Sequence, residues 1–181
     1  MTRIYLLLFS IIFSLTLSAQ KYYTKNGNIS FYSKASIENI AAENGQVMST
    51  LDLQTGQLQF SVLIKAFHFK KSLMEEHFNE NYMESDKYPK ASFKGNIKDL
   101  KIDLTKDGVF PISVTGDMTI HGVTKNITVP GTITVKNGIA SGNSSFKITL
   151  ADYKVSIPKI VKDNIAETID VSVSCIYDKK M

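Results

Sequence analysis

The stretch Phe110–Val135, FPISVTGDMTIHGVTKNITVPGTITV, decides the fold. In its first half Phe110, Ile112, Val114, Gly116, Met118 and Ile120 share one parity, and Pro111, Ser113, Thr115, Asp117 and Thr119 the other. Successive strand side chains point to opposite faces, so this is a strand with one buried side. His121-Gly122 interrupts the pattern, and Ile127, Val129, Gly131, Ile133 and Val135 resume it against Asn126, Thr128, Thr132 and Thr134. Two alternating runs about a short Gly-containing break form a β-hairpin, with Gly122 supplying the backbone freedom of the reversal. Its strands are long for globular proteins, which suits a barrel or deep sandwich better than a small sheet.

Working outward, the same period recurs. Tyr22 and Tyr23 precede a turn signal at Asn26-Gly27, after which Ile29 and Phe31 begin a first strand. Ile37–Ala42 reads as irregular or a short helical turn, and Asn44-Gly45 as a second turn signal. Val47, Ser49, Leu51 and Leu53 then share a face, Thr55-Gly56 reverses the chain, and Leu58, Phe60, Val62 and Ile64 share the next. Strands also read from Ala91–Lys98, from Asn137-Gly138 through Phe146, Ile148 and Leu150, and over Thr168–Tyr177. Ala151–Glu167 has no clear period. The period becomes helical once: Ser72 as N-cap with Glu75 reaching back would form a capping box, and Leu73, Met74, His77 and Phe78 would share the apolar face. The expected architecture is all-β: an eight-stranded antiparallel lipocalin-like barrel with one short amphipathic helix across an end.

Residues 1–19 read as a secretory signal peptide, with Arg3 as the positive n-region, an apolar run Ile4–Leu17, and cleavage after Ala19. That run is shorter than the about 20 residues a membrane span needs, so no stable span is expected after cleavage. Residues 20–181 then form one domain with a substantial core, placed in the periplasm or secreted. The formal charge of +4 comes from scattered lysines, without the basic stripe nucleic-acid binding requires. Cys175, the single cysteine, shares parity with Ile169, Val171, Val173 and Tyr177 and is expected in the core.

Catalytic patterns are missing. His68 and His77 lack zinc-protease spacing, Glu75-Glu76-His77 diverge around a helix, and no nucleophile elbow, phosphate loop or dinucleotide fingerprint occurs. No catalytic residue, metal or cofactor is therefore expected. A barrel instead directs an apolar set inward: Phe31, Leu51, Phe60, Val62, Phe93, Val114, Met118, Val129, Ile133, Phe146, Ile148, Val171 and Val173. The set serves equally as a packed core or as the wall of a small ligand cavity.

Three blocks resemble the YceI-like family of periplasmic lipid- or polyisoprenoid-binding barrels. They are the hairpin run Gly116–Lys125 within VTGDMTIHGVTKNITVPGTI, the Leu73–Phe93 segment with Lys87, Tyr88, Pro89 and Phe93, and FKITLADY at Phe146–Tyr153. The blocks fall in the family's order and span about residues 28–177. Two departures bear on ligand identity: a plainer first strand, Asn28-Ile29-Ser30-Phe31, and Asp152-Tyr153-Lys154 where the family commonly continues with glycine. The resemblance implies a non-catalytic exported barrel that holds an isoprenoid or similar amphiphile; the amphipathicity of the helix makes Leu73, Met74 and Phe78 a candidate lid. The alternative is a fully packed structural or interaction module of the cell envelope; a homodimer is compatible with either. An enzymatic role would require a pocket reaching His121 with a carboxylate beside it.

Overall fold

A computed structural model describes residues 21–181; the signal-peptide reading of residues 1–19 lies outside the described residues. Eight long strands form the barrel: β1 (Lys21–Ser33), β2 (Ile40–Asp52), β3 (Gln57–Leu63), β5 (Lys90–Ile97), β6 (Gly108–Ile120), β7 (Val123–Lys136), β8 (Ile139–Thr149) and β9 (Thr168–Tyr177). Two-residue strands β4 (His68–Phe69) and β10 (Lys179–Lys180) add to β2 and β1. The order β1-β9-β8-β7-β6-β5-β3-β2 returns to β1, and each of these pairings is antiparallel. Closure leaves no long free edge. No helix among the described residues is long and apolar enough to cross a membrane.

The connections are unequal, and their lengths shape the molecule. At one end the strands reverse tightly, through Gly56 (φ +75°) and the Asn137-Gly138 pair (φ +51° and +78°), alongside the Lys98–Asp107 loop. At the other end lie the β1–β2 connection, helix α1 (Ser72–His77) and the long β8–β9 passage, with 3-10 segments at Leu150–Tyr153 and Lys159–Asn164. The first is the floor, the second the rim.

The opening hairpin pairs in register from Gly108↔Val135 to Ile120↔Val123, with Val114 opposite Val129. On its outer face Thr115 bonds Thr128 at 2.9 Å and Thr119 bonds Thr124 at 2.8 Å. On the inner face Gly116 lies opposite Gly95 of β5, and a Cβ at Gly116 would overlap the Gly95 backbone. Two facing glycines let β5 and β6 approach and bend there. β7 pairs with β8 only over Thr132–Lys136, so their rim-ward halves part and the Leu150–Tyr153 turn packs against both.

Three local expectations are corrected. Asn26-Gly27 and Asn44-Gly45 are not turns; they sit inside long strands, where the β1–β2 register shifts around Gly27 and Ile29. Gly27 passes over Cys175, whose Sγ would lie 2.5 Å from an added Cβ, and Asn44 is buried with its amide donating to Leu63 O at 2.9 Å. Ile40–Ala42 belongs to strand β2 rather than to a helical turn. The capping box does not form. Lys71 occupies the N-cap position without a side-chain bond, Ser72 is already helical, and the Glu75 carboxylate accepts from Phe69 N at 3.1 Å. Glu75 thus ties the helix to β4 instead of capping it.

Candidate functional site

The barrel interior is a tunnel of two lobes. The inner lobe has a volume of about 130 Å³ and the outer about 310 Å³, and Ile29, Val62, Ala91, Ile120, Ile148 and Val171 belong to the walls of both. Strand alternation makes the inner wall: the parity that buries Val114 and Met118 on β6 also buries Val129 and Ile133 on β7. Leu51, Phe60, Phe93, Phe146 and Val173 complete it from the remaining strands. Phe31 borders the outer lobe, whereas Val62, Ile148 and Val171 border both.

The floor is closed by a buried polar knot. Tyr177 (3 % exposed) donates to Ser49 Oγ at 2.8 Å, and Ser49 donates to Gln59 O at 2.9 Å. Burial pushes the Tyr177 phenol up, with the adjoining Cys175 adding to the effect and the Ser49 bond opposing it. Burial likewise pushes the Cys175 thiol up to about 12, so it behaves as a small core hydrophobe.

At the rim the wall changes character. Phe78 is held in an aromatic cluster, with ring centroids 5.0 Å from Phe69, 5.6 Å from Phe67 and 5.6 Å from Phe31. Met74, His77 and Phe78 border the outer lobe, being one, four and five positions beyond Leu73. Leu73 does not border it and is 58 % exposed. On a helix the i, i+3, i+4 set of Met74, His77 and Phe78 makes one stripe, and Leu73 falls a quarter-turn outside it. Ser33, Glu38, His77, Asn164, Tyr82 and Tyr153 provide the polar groups of this lobe, and no lysine or arginine borders either lobe. Burial pushes the phenols of Tyr82 and Tyr153 up; Asp152 adds to the latter.

His121 sits in the hairpin turn, as the interrupted alternation implied, and its side chain is largely covered. His121 and Gly122 both have positive φ (+50° and +72°), the geometry of a tight hairpin turn, and the turn folds inward against Tyr88. The imidazole, 11 % exposed, meets Glu84 Oε2 at 2.8 Å through Nε2 and the Tyr153 carbonyl at 3.3 Å through Nδ1. Tyr88 packs edge-on at 4.7 Å and fills the space a Cβ on Gly122 would need. A carboxylate is therefore present, but His121 borders neither lobe. Its place is that of a clasp joining the hairpin tip, the Glu84 loop and the Leu150–Tyr153 turn. No cluster of three metal-ligating side chains occurs among the described residues.

Sequence reading missed much of the outer lobe: Ile37, Ile40, Val155, Val161 and Ile165, with Tyr82 and Tyr153. Most of these sit on connections whose apolar residues follow no period. Ile120 and Ile112 were legible, since both share the quoted hairpin face and both border the inner lobe.

The model of the YceI-like domain matches residues 21–176. The chain belongs to the YceI-like family. Among solved structures it is similar to a polyisoprenoid binding domain from Saccharophagus degradans, at TM-score 0.74 and 13 % identity over 90 % of this chain and 99 % of that one. Burkholderia cenocepacia BcnA superposes at TM-score 0.69 with 16 % identity, covering 83 % of this chain and 95 % of that one. The Campylobacter jejuni YCEI protein does so at 0.62 with 20 % identity, covering 82 % and 90 %. At such identities the likeness is one of fold, and it places the closed eight-stranded barrel among YceI-like barrels. No curated protein sequence matches the chain.

Proposed function

We propose that this YceI-like protein is a non-catalytic carrier or sequestering protein for a long, isoprenoid-like lipid, exported through residues 1–19 and working in the cell envelope. The observation that carries the reading is the tunnel: two joined lobes, walled almost wholly by aliphatic and aromatic side chains and closed at the floor. A fully packed barrel would leave voids little larger than a water molecule. The outer lobe alone has the volume of a small ligand site. A prenyl chain gains on the order of 0.8 kcal/mol per CH₂ buried, so affinity needs shape and dryness rather than directed polar chemistry. Met118 and Met83 add unbranched, adaptable surface. With no cation on the wall, a phosphate head would be desolvated without a partner, and the polar end of the ligand belongs at the rim among Glu38, His77 and Asn164. The family assignment and the polyisoprenoid-binding description of the S. degradans neighbour support the same reading.

The test is native mass spectrometry and lipid extraction of protein purified from its own host, for the parent and for Val114→Trp and Val129→Trp. Each indole would fill the inner lobe where β6 and β7 face each other. A long apolar molecule should co-purify with the parent and be lost from both variants, with overpacking costing about 1–3 kcal/mol of stability. A parent free of lipid, or variants that keep it, would overturn the proposal.

A further inference from the structure

Three large aliphatic side chains stand in water at the rim: Ile37 is 73 % exposed, Leu73 58 % and Ile160 93 %. They lie far apart in sequence, on the β1–β2 connection, the first turn of α1 and the Lys159–Asn164 segment. Hydrogen bonds and ion pairs bring these segments together. Ser36 N donates to Asp163 O at 3.2 Å, and Lys71 pairs with Glu38. Ile37 sits between those two ties. Each exposed residue also adjoins a residue of the outer lobe: Ile37 precedes Glu38, Leu73 precedes Met74 and Ile160 precedes Val161. The three therefore mark one ring around the tunnel mouth.

Charge follows the same ring. Lys34 lies three residues before Ile37, Lys70 three before Leu73, and Lys159 immediately before Ile160. None of these lysines has an ion-pair partner among the described residues. The acids nearby are largely engaged: Glu38 by Lys71, Glu167 by Lys162, and Glu75 by the Phe69 amide and His68. Glu76 and Asp163 are the remaining acidic side chains of these segments. The core of a protein–protein interface is depleted of lysine and of other charged side chains. Isolated aliphatic tips, each beside an uncompensated lysine, match the layered chemistry of a bilayer surface, with anionic head groups above acyl chains.

We propose that the rim docks on an anionic lipid bilayer, with Ile37, Leu73 and Ile160 entering the acyl boundary while Lys34, Lys70 and Lys159 meet lipid phosphates. The tunnel mouth would then face the hydrocarbon, and a chain entering or leaving it would avoid water. The purpose rests on the carrier reading, but the contact itself does not, and the two can fail separately.

The experiment is flotation of the chain from residue 20 onward with isoprenoid-free vesicles of phosphatidylcholine containing about 30 % phosphatidylglycerol, against phosphatidylcholine alone. Comparison is with Leu73→Ser/Ile160→Ser, neither of which borders the tunnel, and with Lys34→Gln/Lys70→Gln/Lys159→Gln. The parent should float only with anionic vesicles, and flotation should fall as salt rises from about 0.1 to 0.5 M. The lysine variant should bind roughly a hundredfold more weakly, since each of the three lysines near such a surface contributes roughly fivefold. The serine variant should lose about tenfold while keeping the parent's melting temperature and its uptake of a polyprenyl alcohol supplied from ethanol. A parent that stays unbound, or a serine variant that floats as well as the parent, overturns the docking proposal. So does a serine variant whose oligomeric state changes in light scattering while its flotation does not, which would make a second copy the occupant of the rim. Failed uptake of the alcohol by a parent that still floats would count against the carrier reading alone.

Discussion

Two residues on the tunnel side of the barrel show how tightly its floor and wall are built. Cys175 holds its proton to about pH 12, against 9.0 for a free thiol, because it is buried beneath Gly27. Ellman's reagent at pH 8 should leave the native protein unlabelled and react fully once the chain is unfolded. Between pH 9 and about 12 the folded chain keeps a proton that the unfolded chain releases, so rising pH favours unfolding. Tyr177, raised by the same burial, acts in the same direction. The melting temperature should therefore be flat in this respect below pH 8 and fall from pH 9 upward. Gly116 makes a separate point: its Cβ would meet backbone of β5, which cannot rotate away as a side chain would. Gly116→Ala should cost about 1–3 kcal/mol, read by chemical denaturation; a neutral result would show that the two strands can part there.

At the scale of elements, α1 is held by what it packs against. Six residues are too few for a helix stable by propensity, its N-cap makes no side-chain bond, and its anchors are Phe78 in the aromatic cluster and Glu75 on the Phe69 amide. Phe78→Ala should destabilise the protein by about 2–3 kcal/mol, less than a fully buried Phe because Phe78 is only half-buried. In a lipid-loaded sample the same change should speed exchange of the ligand, measured by competition with a labelled polyprenyl alcohol; unchanged exchange would deny the helix a gating role. The elements also show what a local reading could and could not distinguish. The strand parity that assembles the inner wall was visible residue by residue, from Leu51 to Val173. The Asn-Gly pairs were ambiguous: Asn137-Gly138 is a turn with positive φ at both residues, whereas Asn26-Gly27 and Asn44-Gly45 stay extended within paired strands. What separates them is whether a partner strand lies alongside, which the dipeptide does not carry. The rim connections were opaque for the same reason, since Ile37, Val161 and Ile165 acquire a common side only through contacts such as Ser36–Asp163.

For the whole molecule, an occupied tunnel should be a more stable one. A ligand that enters the folded barrel and ignores the unfolded chain adds about 2.7 kcal/mol at a hundred times its Kd. A polyprenyl alcohol at that excess should raise the melting temperature by roughly 5–10 °C for a domain of this size, and Val114→Trp should cancel the rise. The asymmetry of the two ends sets the expected direction: tight turns and the Ser49–Tyr177 bond close the floor, so a bound lipid should exchange through the rim.

The seam at β1 has a consequence in time. β1 is bonded on one side to β2, its neighbour in sequence, and on the other to β9, near the opposite end of the described chain. Hairpins such as β6–β7 can zip as soon as they are made, but the seam waits for β9. Until then β1 and β9 each expose a row of unpaired amides and carbonyls, the templates for joining a second chain. Closure of such non-local topologies runs from milliseconds to seconds. Crowded refolding should therefore yield strand-exchanged pairs in which β9 of one chain completes the barrel of another, and dilution should suppress them.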